Sequence, residues 1–334
     1  MAQTTQERRW AIKHWLGMHS SLRAVRNCGH KSLPGEKRIE GNITTYEDGT
    51  YRVTLGNVMW CNSPWACPDC SRNIGYRKAR YLSQISEAWH NQGGQIALIT
   101  LTMRHDASMS LADIMIACSQ PNSLQGLDRK YGSMLWAKQK TLPNARAAEI
   151  THGKNGWHYH LHYLVFLPGW VDAAELSTIR HRMWVKWSDT IANHGFDCDE
   201  EQSDARFIMR DEGIGQYLIK AGLEVAAGNT KHGRKGNMTP YQMLGRIIDH
   251  MYGPVDHPEQ ACPRRRHDRT PCPDYIKYRD LWHEYETATK GKNQLILPTR
   301  LGDWLQISRD ELNHHVEAAL QDELGNDIIR ACTL

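Results

Sequence analysis

Polar and apolar positions alternate most sharply in Gly156-Trp157-His158-Tyr159-His160-Leu161-His162-Tyr163-Leu164-Val165-Phe166. A strand points successive side chains to opposite faces. His158, His160 and His162 therefore share one face, and Tyr159, Leu161 and Tyr163 share the other. Residues 96–102 form a short apolar run, the pattern of a buried central strand. Residues 147–151 predict another strand, joined to the histidine strand through the turn at 152–156. If that loop has an even number of residues, Glu149 and Thr151 fall on the histidine face.

The rest of the chain alternates helical and extended patterns. Residues 1–25 read as a basic, amphipathic helix. Residues 40–60 alternate as strands about the turn signal Asp48-Gly49. Helical patterns cover about 73–92, ended by Gly93-Gly94, then 110–139, 172–194 and 214–226. Residues 206–209 predict a further strand, and 228–236 a basic, glycine-rich loop. The last third reads as helices separated by a Pro-, Arg- and Cys-containing stretch at 254–273. There is no internal repeat. Antiparallel strands interleaved with helices predict an α+β fold.

Composition narrows the function classes. The 334 residues suffice for a catalytic domain with a sizeable core and smaller modules. A net charge of +4 permits a nucleic-acid partner without demanding one. Tryptophan, at 12, far outnumbers phenylalanine, at 3. Indole faces can stack on bases, although core packing accounts for most tryptophans. No apolar run approaches the ~20 residues of a membrane span. The first residues lack the apolar stretch of a secretory signal, so the protein is expected to be cytoplasmic and its cysteines to serve as metal ligands or buried thiols.

Three constellations carry chemistry. Cys67-Pro68-Asp69-Cys70 is a two-thiolate knuckle, with Cys61 as a third ligand and Cys28 as the best fourth; His30 is the alternative. Four such ligands suit a closed, structural Zn²⁺ site. Arg72, Arg77 and Lys78 follow directly and are candidate phosphate contacts, against the ordinary alternative of a solvated helix face. The histidine strand reads either as a metal site or as the histidine-triad nucleotide hydrolase pattern. Glu149 opposite the imidazoles favours a hard divalent cation, Mg²⁺ or Mn²⁺. On a helix, Tyr217, Lys220 and Glu224 share one face. A tyrosine ionised by a nearby cation is a nucleophile, and a lysine holds a phosphate as a point charge.

Taken together, these stretches resemble the rolling-circle replication initiator (Rep) proteins of small plasmids, in the HUH endonuclease superfamily. Within it, they look most like the group with a cysteine-rich segment before the catalytic domain. Ile99-Thr100-Leu101-Thr102-Met103-Arg104-His105 resembles that family's first motif. Glu149-x-Thr151-x4-Gly156-Trp157-His158-x-His160-x-His162 resembles its metal-binding motif, and Tyr217-x2-Lys220 its nucleophile motif. Cys28, Cys61, Cys67 and Cys70 match its cysteine segment. Two later stretches also fit: Lys231-x-Gly233-Arg234-x2-Asn237-x-Thr239-Pro240 and Leu281-Trp282-x-Glu284-Tyr285-x2-Ala288-x-Lys290-Gly291. The resemblance covers about residues 25–305. One departure stands out. The family carries a carboxylate four residues before the tyrosine to activate water at termination. That position is Gly213 here; Glu212 is its neighbour, and Asp211 and Glu224 are other candidates.

The residue pattern gives an N-terminal helix at 1–25, and the resemblance implies a zinc-binding segment at 26–91 and an HUH endonuclease domain at 92–230. That domain would hold an antiparallel sheet of about five strands flanked by helices. A basic loop and helical region would follow at 231–334. The implied activity is nicking of single-stranded or hairpin origin DNA through a 5′-phosphotyrosine on Tyr217, with Lys220 stabilising the phosphate. His160 and His162 fit the metal pair best, with Glu149 or His158 as the third ligand. Lys231, Arg234, Lys235 and residues 264–269 are expected DNA contacts, and a host replication helicase an expected partner. A single-tyrosine transposase is the alternative within the superfamily. From other classes the alternatives are a histidine-triad hydrolase with His160 as nucleophile and a non-catalytic, zinc-dependent DNA-binding regulator.

Overall fold

The computed structural model describes residues 5–45, 51–119, 144–167, 169–210, 236–253, 272–298 and Leu305. Helices α1 (Thr5–His19) and α2 (Arg23–Asn27) precede a hairpin of β1 (Glu40–Thr45) and β2 (Tyr51–Gly56). The long helix α3 (Pro68–Asn91) leads to β3 (Gln95–Thr102) and α4 (Leu111–Ser119). Then come β4 (Asn144–Gly153), β5 (Gly156–Leu167), α5 (Ala173–Ala192) and β6 (Asp204–Ile208). Helices α6 (Pro240–Tyr252) and α7 (Pro273–Ala288) and the short β7 (Leu295–Ile296) complete the described chain.

Five strands form one sheet in the order β6-β3-β5-β4-β7, every neighbouring pair antiparallel. The α+β expectation, with a five-stranded antiparallel sheet flanked by helices, is met. The β4–β5 loop has two residues, Lys154 and Asn155, because Gly153 pairs with Gly156. The even loop therefore sets Glu149 opposite His160 and Thr151 opposite His158.

The two sheet faces have different fates. Tyr159, Leu161, Tyr163, Ile99, Leu101, Ala148 and Ile150 are buried against helices from both ends of the chain. These include Trp15 and Leu16 of α1, Trp187 of α5, Leu244 and Ile247 of α6, and Trp282 and Tyr285 of α7. The other face is divided along its strands. Its lower half, with Ile96, Leu98, Ala145, Leu164, Phe166 and Ile208, is covered by Leu82, Ile85 and Trp89 of α3. Each of those helix side chains contributes ~1.5–3 kcal/mol by leaving water. The upper half carries the histidines, threonines and Glu149. Half of one face is thus spent on a core and half on a polar site.

Helix ends follow local chemistry. Asp172 and Glu175 form a reciprocal capping box on α5, and Thr239 and Gln242 form one on α6, with Pro240 in its first turn. The single helix expected over 1–25 is instead α1 and α2, broken at Ser20–Leu22. Ser20 Oγ accepts the Leu22 N–H and donates to Glu286, whose other oxygen accepts the Ser21 N–H. Serine hydroxyls compete with the backbone ladder in this way. Of the helix expected over 110–139, α4 covers the described part and 120–143 lie outside the described residues.

Candidate active site

The histidine face is built from three strands. Thr100 pairs with His162 across β3 and β5, and Thr102 with His160. The Thr100 hydroxyl lies 3.0 Å from His162 Nδ1, and the Thr102 hydroxyl 2.9 Å from His160 Nδ1. On the other side of β5, Glu149 Oε2 is 2.9 Å from His162 Nε2. With its Nδ1–H donated to a threonine oxygen, an imidazole presents the Nε2 lone pair that a cation needs. Neighbouring donors on an octahedral cation with ~2.1 Å bonds stand about 3.0 Å apart, which the Glu149–His162 spacing matches.

His158 sits at the open end of the row and turns elsewhere. Its Nε2 is 3.2 Å from Nε2 of His105, in the loop after β3. The His158, His160 and His162 rings run in file, with centroids 6.5 and 6.4 Å apart. Burial lowers the His158 pKa to about 4, with the like charges of His105, His160 and His152 adding to it. Burial also lowers that of His160, against the opposing pull of Glu149. Both imidazoles are neutral near pH 7, the form that ligates metals.

The His105 loop is firmly seated. Gly156 has φ +83°, and a Cβ there would stand 2.8 Å from the Asp106 carbonyl oxygen, so the loop packs directly on the β4–β5 turn. Asp106 accepts the Ser108 N–H, and Glu284 of α7 accepts the Leu111 N–H in the first turn of α4. Arg104 forks onto Asp197 and Asp199.

A second cluster lies at the start of α3. The ligand atoms of Cys28, Cys61, Cys67 and Cys70 all fall within 4.8 Å of one another. Among the described residues they are the tightly gathered set of possible metal ligands. Cys28 Sγ is 3.6 Å from the Sγ of both Cys67 and Cys70, close to the ~3.8 Å edge of a tetrahedron with ~2.3 Å Zn–S bonds. The four cysteines could hold a metal such as zinc. Cys28 completes the set; His30 instead places Nδ1 3.3 Å from the Cys28 carbonyl oxygen. Lys13 Nζ reaches Cys67 Sγ at 3.2 Å and Asp69 at 3.0 Å. Burial would lower its pKa, but Cys67, Asp69 and Cys28 outweigh that and raise it, keeping a cation against the thiolates.

Among the expected DNA contacts, Arg77 is exposed, while the Arg72 guanidinium stands 5.6 Å from the Tyr76 ring. Lys78 donates to the Leu295 carbonyl and is partly buried, which lowers its pKa. Tyr217, Lys220, Glu212, Asp211, Gly213, Glu224, Lys231, Arg234, Lys235 and residues 264–269 lie outside the described residues. Most described tryptophans are core residues, but Trp10, Trp60 and Trp170 are exposed. No helix among the described residues is long and apolar enough to cross a membrane.

Sequence reading placed Thr100, Thr102 and His105 in the family's first motif and Asn237 in a later stretch, and gave none of the four a role of its own. The Ile-Thr-Leu-Thr alternation could have placed the two threonines on one strand face. Nothing in the sequence pairs His105 with His158.

Comparison with known proteins supports the resemblance to plasmid Rep proteins. The chain is 24% identical over 296 residues to "Protein rep" of Streptomyces lividans, covering 73% of this chain and 62% of that protein. It is 30% identical over 141 residues to "Neomycin resistance protein" of Streptomyces cyanogenus, covering 35% of this chain and 32% of that one. The chain thus spans less than two thirds of either relative's length. No family model matches, and no solved structure does.

Proposed function

We propose that this chain initiates rolling-circle replication of a plasmid or phage-like element by nicking single-stranded or hairpin origin DNA. The observation that carries this reading is the row His160–His162–Glu149, braced by Thr102 and Thr100. Similarity to "Protein rep" over 73% of the chain supports the replication role. The donor set, two imidazoles and a carboxylate, fits a divalent cation such as Mg²⁺ or Mn²⁺.

When bound, that cation supplies Lewis-acid polarisation of the scissile phosphate. His160, His162 and Glu149 hold it, and the threonines keep both rings aimed. Tyr217 loses its phenolic proton and attacks phosphorus in line. The P–O3′ bond breaks, the 3′ oxygen takes up a proton, and a 5′-phosphotyrosine forms. Lys220 steadies the phosphate. The phosphotyrosine conserves the bond, so a later 3′-hydroxyl can reverse the step and reseal the strand. Glu212 is the nearest candidate to activate water instead. In this reading 92–230 is the endonuclease domain. The zinc-bearing segment at 26–91 presents Arg77, with Arg72 on the same helix, to DNA, while Lys78 is held at the Leu295 carbonyl oxygen. Lys231, Arg234 and Lys235 serve the same end within the helical region at 231–334. A host helicase then opens the duplex in the cytoplasm.

Cleavage of a labelled single-stranded origin oligonucleotide tests this. Cleavage should require Mn²⁺ or Mg²⁺, disappear in EDTA and fall sharply in His162→Ala. Cleavage that persists in EDTA removes the cation from the account.

A further inference from the structure

His105, His158 and Asn237 converge at the open end of the histidine row, and all three are left over when His160, His162 and Glu149 hold the catalytic cation. We propose that they form a second metal site, separate from His160, His162 and Glu149, for a divalent transition-metal ion.

Three observations support it. First, the two imidazole nitrogens already face each other. Nε2 of His105 and Nε2 of His158 stand 3.2 Å apart, the spacing of two nitrogens that share an ion at ~2.0–2.1 Å with a near-tetrahedral angle. His105 Nδ1 lies 3.3 Å from the Met103 carbonyl oxygen. An Nδ1–H donated there leaves Nε2 with a lone pair, as in metal-bound histidines. Second, an oxygen donor is delivered to the same place. Met238 exchanges backbone hydrogen bonds with His152, at 2.9 and 2.8 Å, at the end of β4. That bridge sets Asn237 beside Gly153. A Cβ on Gly153 would collide with Asn237 Oδ1 and stand 3.2 Å from His158 Nε2. The missing side chain is the space into which both groups point. Third, the backbone that carries them is held: Gly156 seats the His105 loop, and Thr239 caps α6 two residues after Asn237.

The two imidazoles are borderline donors and the amide oxygen a hard one, a set that suits Zn²⁺, Co²⁺ or Ni²⁺ better than Mg²⁺. The ring centroids of His105 and His158 are 3.8 Å apart, tighter than rings pointing at a common ion. Loading should therefore swing them apart. The site explains why Asn237 precedes the capped helix in the stretch ending Thr239-Pro240.

The inference does not depend on nicking, and its test uses no DNA. The full chain, its thiolates loaded with zinc, is titrated with Co²⁺ and followed by visible absorption and elemental analysis. Wild type should take up two further equivalents. His105→Ala and Asn237→Ala should each lose one of them, the same one, while His162→Ala loses the other. Thermal melts confirm that each variant is folded, and the two independent variants guard against one failing. Uptake unchanged in both His105→Ala and Asn237→Ala overturns the site, as does a single further equivalent in wild type that His162→Ala alone removes. Failure of His162→Ala alone to lose an equivalent counts against the catalytic reading and leaves this one standing.

Discussion

Thr102 and His160 face each other across β3 and β5, with the threonine hydroxyl 2.9 Å from Nδ1 of the ring. The contact fixes which nitrogen of His160 faces the site. Removing the hydroxyl at nearly constant shape isolates that role. Thr102→Val should weaken divalent-cation affinity by ~10–100-fold, the usual cost of losing such an orienting partner. The metal dependence of cleavage reads this directly, and the melting temperature should barely change.

Glu149 contributes charge as well as a donor. Glu149→Gln keeps the shape and removes the charge, so half-saturation should need far more Mn²⁺, beyond the ~10–100-fold of an indirect partner. Binding of single-stranded DNA, measured in EDTA, should be retained.

The lowered pKa of His158 gives stability a pH dependence. Its folded pKa of about 4 lies below the ordinary 6.5. Between those values the unfolded chain binds the extra proton, so stability rises with pH across that window. It is lost as pH falls from 6.5 towards 4. Thermal melts of protein freed of metal at the histidines should show this slope, and His158→Gln should flatten it.

Glu286 is fully buried and accepts the Ser20 hydroxyl at 2.6 Å and the Ser21 N–H at 2.5 Å. It ties the first helices to α7. Glu286→Ala strands both donors and should cost at least ~1–3 kcal/mol in chemical denaturation. Cation affinity at the histidine face should not change.

The cysteine cluster joins α2, the segment after β2 and the first turn of α3. Cys70→Ser should lose bound zinc by elemental analysis and lower the melting temperature, because metal binding there is coupled to folding. A Cys70→Ser chain with wild-type metal content and stability would contradict a zinc site.

The sequence revealed those parts of the fold that repeat with a period. Alternation showed the histidine face, and an even hairpin then put Glu149 on it. The apolar run at 96–102 marked the sheet's centre, and knuckle spacing marked the cysteines. Contacts made between elements distant in sequence were hidden. His105 meets His158 because β3 and β5 are antiparallel and Gly156 lets the loop lie on the hairpin turn. Lys78 looks like a basic surface residue in a list of neighbours, yet three-dimensional packing points it at Leu295. The helix break at Ser20 depends on Glu286, 266 residues away along the chain.

The most direct test of the central claim is whether DNA becomes covalently joined to Tyr217. The protein would be incubated with Mn²⁺ and labelled single-stranded DNA from the element's own origin, then run on a denaturing protein gel beside Tyr217→Phe. The account predicts a labelled band at protein mass, lost in the variant and in EDTA. A band unchanged in Tyr217→Phe, or tight DNA binding with no covalent product in wild type, would contradict it.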